Sequence, residues 1–259
     1  MNKILKQILT GVCGFLMAAV ILISYLAGQK ERDGLVCKGT DIVILDSASN
    51  SFVSEKDILK YLDREFGAYA GKPLDSLDLV RIEKIIDGRS AVKKSHALVT
   101  RDSMLRIHVT QRKPVVRFQR QDGGFYADEE GFIFPLQSSY ASHVYVIDGA
   151  IPLAANSGYK GSIESEEERE WFGKMMNLVN FIGKSRDWQD KIVQISVAEN
   201  GELTLVPREG MERFLFGQPT GIEEKFMKMK MYYTHILPDK GPGKYRKVDV
   251  RFEGQIVCR

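Results

Sequence analysis

Only three of the 259 residues are cysteine and four are histidine, and no His or Cys pair stands at metal-ligand spacing. His96, His108, His143 and His235 read as strand or helix residues with ordinary hydrogen bonds. The net charge of +3 is small, no arginine-rich or lysine-rich run occurs, and aromatic residues are not interleaved with basic ones. Nucleic-acid binding is set aside on that basis. No internal repeat or low-complexity tract is visible.

The candidate catalytic motifs are equally incomplete. "GAYAGKP" falls one residue short of a phosphate-binding loop, and Pro73 stands where magnesium chemistry needs a hydroxyl. "SAVK", Ser90 to Lys93, fits the S-x-x-K of penicillin-binding enzymes, but no S-D-N or K-[ST]-G follows it, and a strand start is the better reading. The acidic run Glu164 to Glu170 suits the first turn of a helix, where negative charge meets the helix dipole. These absences predict a non-enzyme with no catalytic residue, cofactor, metal or small-molecule substrate.

What is present begins with twenty uncharged residues, Ile8 to Ala27. At about 1.5 Å rise per residue such a helix matches a hydrocarbon core of about 30 Å. Tyr25 and Leu26 before Ala27 make a poor signal-peptidase site, so an uncleaved anchor is expected. Lys3 and Lys6 precede the span while Lys30 and Arg32 follow it, so charge asymmetry is slight. The short basic head favours staying inside, with the C-terminal part exported. Cys37 and Cys258 are then the two thiols outside the span, compatible with one disulfide or with two unrelated buried thiols. A bridge between them is expected.

The exported part divides by texture. "CKGTDIVILD" reads as a strand, and Ser54 with Asp57 caps a helix carrying Ile58, Leu59, Leu62 and Phe66, closed by Gly67. A second helix carries Leu79, Ile82, Ile85 and Ile86, and two strands follow around a turn at Arg101-Asp102-Ser103. After Pro114 the chain becomes mainly β. Two helices interrupt it, with capping boxes expected at Ser165/Glu168 and Thr220/Glu223. Their predicted buried stripes are Trp171, Met175, Leu178 or Val179, Ile182, and then Ile222, Phe226, Met229, Tyr233, Ile236. Asn200-Gly201 marks a hairpin. The predicted class is α+β: head 1–7, transmembrane helix 8–27, stalk 28–37, a β-α-α-β-β domain over 38–113, and a β domain over 114–259.

The last residues, "YRKVDVRFEGQIVCR", alternate Val248, Val250 and Phe252 with charged neighbours, then add Gln255, Ile256 and Val257 after Gly254. Arg251 to Val257 is expected to form the outer rim of the β domain. With no proline and no inward charge, it reads as an edge open to strand addition.

Taken together these stretches resemble the FtsQ/DivIB family of bacterial cell-division proteins. "FVSEKDILKYL" and "GKPLDSLDLVRIEKII" are similar to the helices of its POTRA domain. "VTQRKPVVRF", "GGFYADEEGFIFPL" and "KYRKVDVRFEGQIVCR" are similar to its later signatures. The resemblance covers the whole chain and implies a non-enzymatic divisome scaffold in the cytoplasmic (inner) membrane. Its C-terminal domain would be extracytoplasmic, at the septum. Implied partners are the coiled-coil proteins FtsB and FtsL, with FtsB meeting Arg251, Phe252 and the strand after Gly254, and through them septal peptidoglycan synthesis. The very short cytoplasmic head leaves contact with cytoplasmic division proteins without support. The alternative is a POTRA-type chaperone or assembly factor of envelope biogenesis, which should carry tandem POTRA units or a barrel. One unit fits here.

Overall fold

The computed structural model describes residues 12–25, 35–47, 51–121, 123–138 and 140–259. Residues 12–25 are helical (α1). The rest of the predicted 8–27 span lies outside the described residues. Among the described residues no helix is long and apolar enough to cross a membrane. The remainder forms two compact units, one containing residues 53–111 with the preceding strand, the other 50–52 with 112–259.

The first unit has the expected order of strand, two helices and two strands: β1 (Gly39–Ile44), α2 (Glu55–Phe66), α3 (Leu79–Asp87), β2 (Val92–Val99) and β3 (Met104–Gln111). Period-two burial of Leu105, Ile107 and Val109 places β3 at the centre, parallel to β1 and antiparallel to β2. The capping box forms as read, with Ser54 Oγ accepting from the Asp57 N–H and Asp57 Oδ2 accepting from the Ser54 N–H. Ile58, Leu62, Ile82 and Ile86 are the buried stripe of the two helices. Ser103 takes φ 67°, the left-handed conformation that closes the β2–β3 turn.

The outer side of β2 is closed in an unusual way. Thr100 donates to Met104 across the pair, so the alternate residues Ser95 and Ala97 point their N–H groups away from β3. Asp87 accepts from the Ser95 N–H at 2.7 Å and Glu83 from the Ala97 N–H at 2.8 Å. Two carboxylates of α3 thus stand where a neighbouring strand's carbonyls would be.

The second unit is a ten-stranded sheet in the order β13-β12-β11-β10-β9-β7-β4-β5-β6-β8. Its strands are β4 (Pro114–Arg120), β5 (Gly123–Asp128), β6 (Phe132–Pro135), β7 (Tyr145–Gly149), β8 (Gly161–Ser162), β9 (Ile192–Val197), β10 (Leu203–Pro207), β11 (Arg213–Gly217), β12 (Lys247–Asp249) and β13 (Val257–Cys258). Parallel neighbours need a crossover; β5 and β6 lie in the one from β4 to β7, and helices lie in the other two. α4 (Glu166–Lys184) lies between the parallel strands β7 and β9 in the chain. α5 (Ile222–Met231), continued by a π-helical turn (Tyr232–Ile236) and α6 (Leu237–Lys240), lies between the parallel β11 and β12. Their apolar faces and the sheet side bearing Phe118, Ile147, Ile195, Phe214, Val248 and Val250 share one core. Arg112 and Asp128, from two separate sequence signatures, meet in a 2.8 Å ion pair with both side chains nearly buried. The carboxylate also accepts from the Phe132 N–H at 2.9 Å, fixing the β5–β6 turn around Gly131 at φ 78°. Phe52, part of this unit, packs edge-on against Tyr126 and Tyr140.

Three expectations are corrected. Neither predicted capping box of the second unit forms. Ser165 occupies the α4 N-cap without a side-chain bond, because Glu168 accepts instead from the Ala154 N–H. Gly221, left-handed at φ 57°, takes the α5 N-cap in place of Thr220. The buried face of α4 is broader than the stripe, adding Phe172 and Met176 while Trp171 is only half-buried. Cys37 and Cys258, the pair expected to form a bridge, are free thiols in separate units. Cys37 Sγ donates to the Gly39 carbonyl inside the first unit, and Cys258 packs on the core of the second.

Candidate interaction site at the C-terminal sheet edge

The last strands are built from short-range rules. Val248 and Val250 face the core, and Asp249 and Arg251 the opposite side, as period two requires. The strand stops at Asp249, and Phe252 does not continue the buried row. The chain turns at residues 252–254, with Gly254 at φ 67°, and returns as β13. Lys247 and Arg259 exchange both backbone hydrogen bonds, at 3.0 and 2.9 Å. Val257 faces Asp249 two residues on, in the same phase. Ile256 and Cys258 therefore direct their N–H and C=O groups away from β12, to the outer side of the sheet. Among the described residues no strand pairs there.

The predicted rim, Arg251 to Val257, is narrower in the structure, where the edge strand is Val257–Cys258. Ile256 is half-buried against the core, Gln255 is exposed, and Val257 is half-buried with its backbone turned inward to β12. Phe252 stands 46 % exposed on the turn, its ring centroid 5.6 Å from the Arg251 guanidinium. The charge of Arg251, one of the residues expected to meet the partner, is used within the chain. Nε and Nη2 donate to the two carboxylate oxygens of Asp249 at 2.9 and 2.7 Å, and Nη1 donates to Glu202 at 2.8 and 2.9 Å. Its stem lies against Gly217, where an added β-carbon would crowd it at 3.0 Å.

Charge fixes the turn. Burial pushes the Asp249 carboxyl up, and the Arg251 hydrogen bonds outweigh this and hold it below the usual carboxylate range. Glu202 is held low by Asn200 and by Arg251. From α5, the nearly buried Lys228 donates to the Phe252 carbonyl at 2.7 Å and the Val250 carbonyl at 3.4 Å, and pairs with Glu224 at 2.6 Å. Glu224 is lowered by that pair and, to a smaller degree, by the Gly254 N–H. Burial raises the Cys258 thiol, keeping it protonated.

Sequence reasoning missed Lys228, Glu224, Glu202 and Gly217. Only the Glu224/Lys228 spacing, four residues apart on a helix, left a local signal. The arrangement holds no nucleophile–base pair, and no group of three metal-ligating side chains gathers among the described residues. What it offers is rigid backbone presented at an edge.

The sequence matches the family described as "FtsQ/DivIB, C-terminal related" over residues 113–259. It matches the one described as "POTRA-like domain" over residues 35–110. No curated protein matches the chain.

Proposed function

Because the chain belongs to the FtsQ/DivIB family, whose domains point to a non-catalytic scaffold role in cell division, we propose that it is a membrane-anchored divisome scaffold. It binds FtsB- and FtsL-like single-span coiled-coil proteins, and an extended segment of the FtsB-like partner adds as a strand outside β13. The anchor is residues 8–27, the two units lie outside the cytoplasm, and the complex acts at the septum on peptidoglycan synthesis. One observation carries this reading: the outward N–H and C=O groups of Ile256 and Cys258, on an edge where no strand pairs among the described residues. Phe252 beside the edge supplies the aromatic anchor, and Gln255 and Val257 supply side-chain specificity on the face away from the core.

The test is a proline at the outward-facing position. Ile256→Pro removes a donor that β12 does not use, so the protein folds while capture of coiled-coil partners from membranes falls sharply. Val257→Pro removes a donor that β12 does use, and should loosen the edge itself. Wild-type capture by a folded Ile256→Pro protein would sink the strand-addition reading.

A further inference from the structure

A cavity of about 760 Å³ opens between the turn joining β10 to β11, the π-helical turn after α5 and the loop at Pro242 and Gly243. Its wall is apolar at Pro207, Met211 and Leu237 and also carries the cations Lys191 and Arg208. Glu212 also lines it and is only 3 % exposed. The Tyr233 hydroxyl donates to its Oε1 at 2.8 Å, and no cation forms an ion pair with it among the described residues. A carboxylate taken out of water without a cation is unfavourable, and buried acids are normally paired.

The fold nevertheless builds this carboxylate in. Gly210 sits at φ 94°, and a β-carbon there would overlap the Glu212 carboxyl group. Tyr233 comes from the π-helical segment, the kind of helix irregularity that recurs at functional sites. Lys191, itself a lining residue, places its ammonium 5.7 Å from the Tyr233 ring centroid and 5.5 Å from that of Trp188, so a cation beside the Tyr233 ring is already compatible with the site.

We propose that this cavity receives an arginine or lysine side chain of a partner protein, the aliphatic stem against Met211 and Leu237 and the charge against Glu212. The choice of a protein partner rests on the docking reading above; the cation site itself does not. Glu212 directly precedes β11, whose first residue pairs with Lys247, opposite Arg259, the residue after β13. The mouth therefore lies about two strand spacings, roughly 10 Å, from that end of the open edge. A segment leaving the edge there brings its next residues to the cavity.

The full-length protein in detergent, carrying ¹³C-methyl methionine, is titrated with arginine blocked at both termini, and with equally blocked citrulline as the neutral isostere. Saturable shifts of the Met211 methyl are expected with arginine, weaker by roughly tenfold with citrulline, about 1.4 kcal/mol. Glu212→Gln should erase the difference. Met211→Lys, at a rim position 58 % exposed, places an internal competitor at the mouth and should also weaken binding without touching the core. Ile256→Pro should leave probe binding unchanged, which separates this site from the edge. Equal binding of arginine and citrulline, or none, overturns the cation site. Undiminished partner capture by a folded Glu212→Gln protein that no longer binds arginine overturns the assignment to a partner's side chain.

Discussion

Lys228 and Arg251 hold the C-terminal turn from opposite sides, and each can be tested singly. Lys228→Met keeps the aliphatic stem but removes the donor to the Phe252 carbonyl and the partner of Glu224. Charged hydrogen bonds of this kind contribute roughly 1.5–3 kcal/mol. A loss of about 2 kcal/mol in denaturant unfolding is expected, with faster hydrogen exchange at Arg259. For Asp249 the folded-state carboxyl titrates below its unfolded value, so its contribution is present above the unfolded range, near pH 4, and is lost as pH falls through the folded value. The stability gap between wild type and Asp249→Asn should be widest above about pH 4 and should close in acid. A gap independent of pH would mean that Arg251 gains nothing from the charge. Arg251 also shows what a sequence conceals. The alternation places Asp249 two residues back on the same face of the ladder, yet from sequence Arg251 was assigned to a partner. Its pairing with Glu202, forty-nine residues away, depends on β10 and β12 flanking β11.

Among the elements, local signals were reliable where nothing distant competed for them. The Ser54/Asp57 box formed because both partners are exposed and otherwise unengaged. The Ser165/Glu168 box did not, because a loop fourteen residues upstream supplies the Ala154 N–H as a donor to Glu168. The helical stripes were readable from spacing, yet Lys225 and Lys228 on the buried side of α5 were not, since their carbonyl acceptors come from Gln218 and Phe252. The edges of the two sheets also differ in kind. β2 is closed by Asp87 and Glu83, whereas no strand pairs on the outer side of β13 among the described residues. Removing both carboxylates, Glu83→Ala with Asp87→Ala, uncovers the outward donors of Ser95 and Ala97. The double variant should self-associate in sedimentation velocity, and a monodisperse result would show that the carboxylates do not guard the edge.

At the scale of the whole molecule, order and class followed from the sequence: one strand-helix-helix-strand-strand unit, then a larger sheet unit with long helices. The ten-strand order was not legible, because neighbours such as β4 and β7, or β11 and β12, are joined by crossovers rather than tight turns. Two predictions concern the intact protein. Thiol labelling of the denatured, unreduced chain should count three reactive cysteines, since Cys13, Cys37 and Cys258 are all free; a count of one would restore the bridge. A reporter active only outside the cytoplasm should be active when fused after Arg259, and full activity of a cytoplasm-only reporter there would reverse the proposed orientation.

The phase of the final ladder gives Ile256 and Cys258 two roles in orthogonal directions: their side chains pack toward the core, while their peptide groups face outward. Alanine scanning would misread such a surface. Ile256→Ala leaves every outward hydrogen-bonding atom in place and removes only core packing, so it registers as lost stability, not lost recognition. Substitution can then run freely along the edge wherever core volume is kept, because nineteen of the twenty amino acids carry the same peptide donor and proline alone does not. Mapping this contact calls for chemistry on the main chain itself, such as replacing single amides by esters.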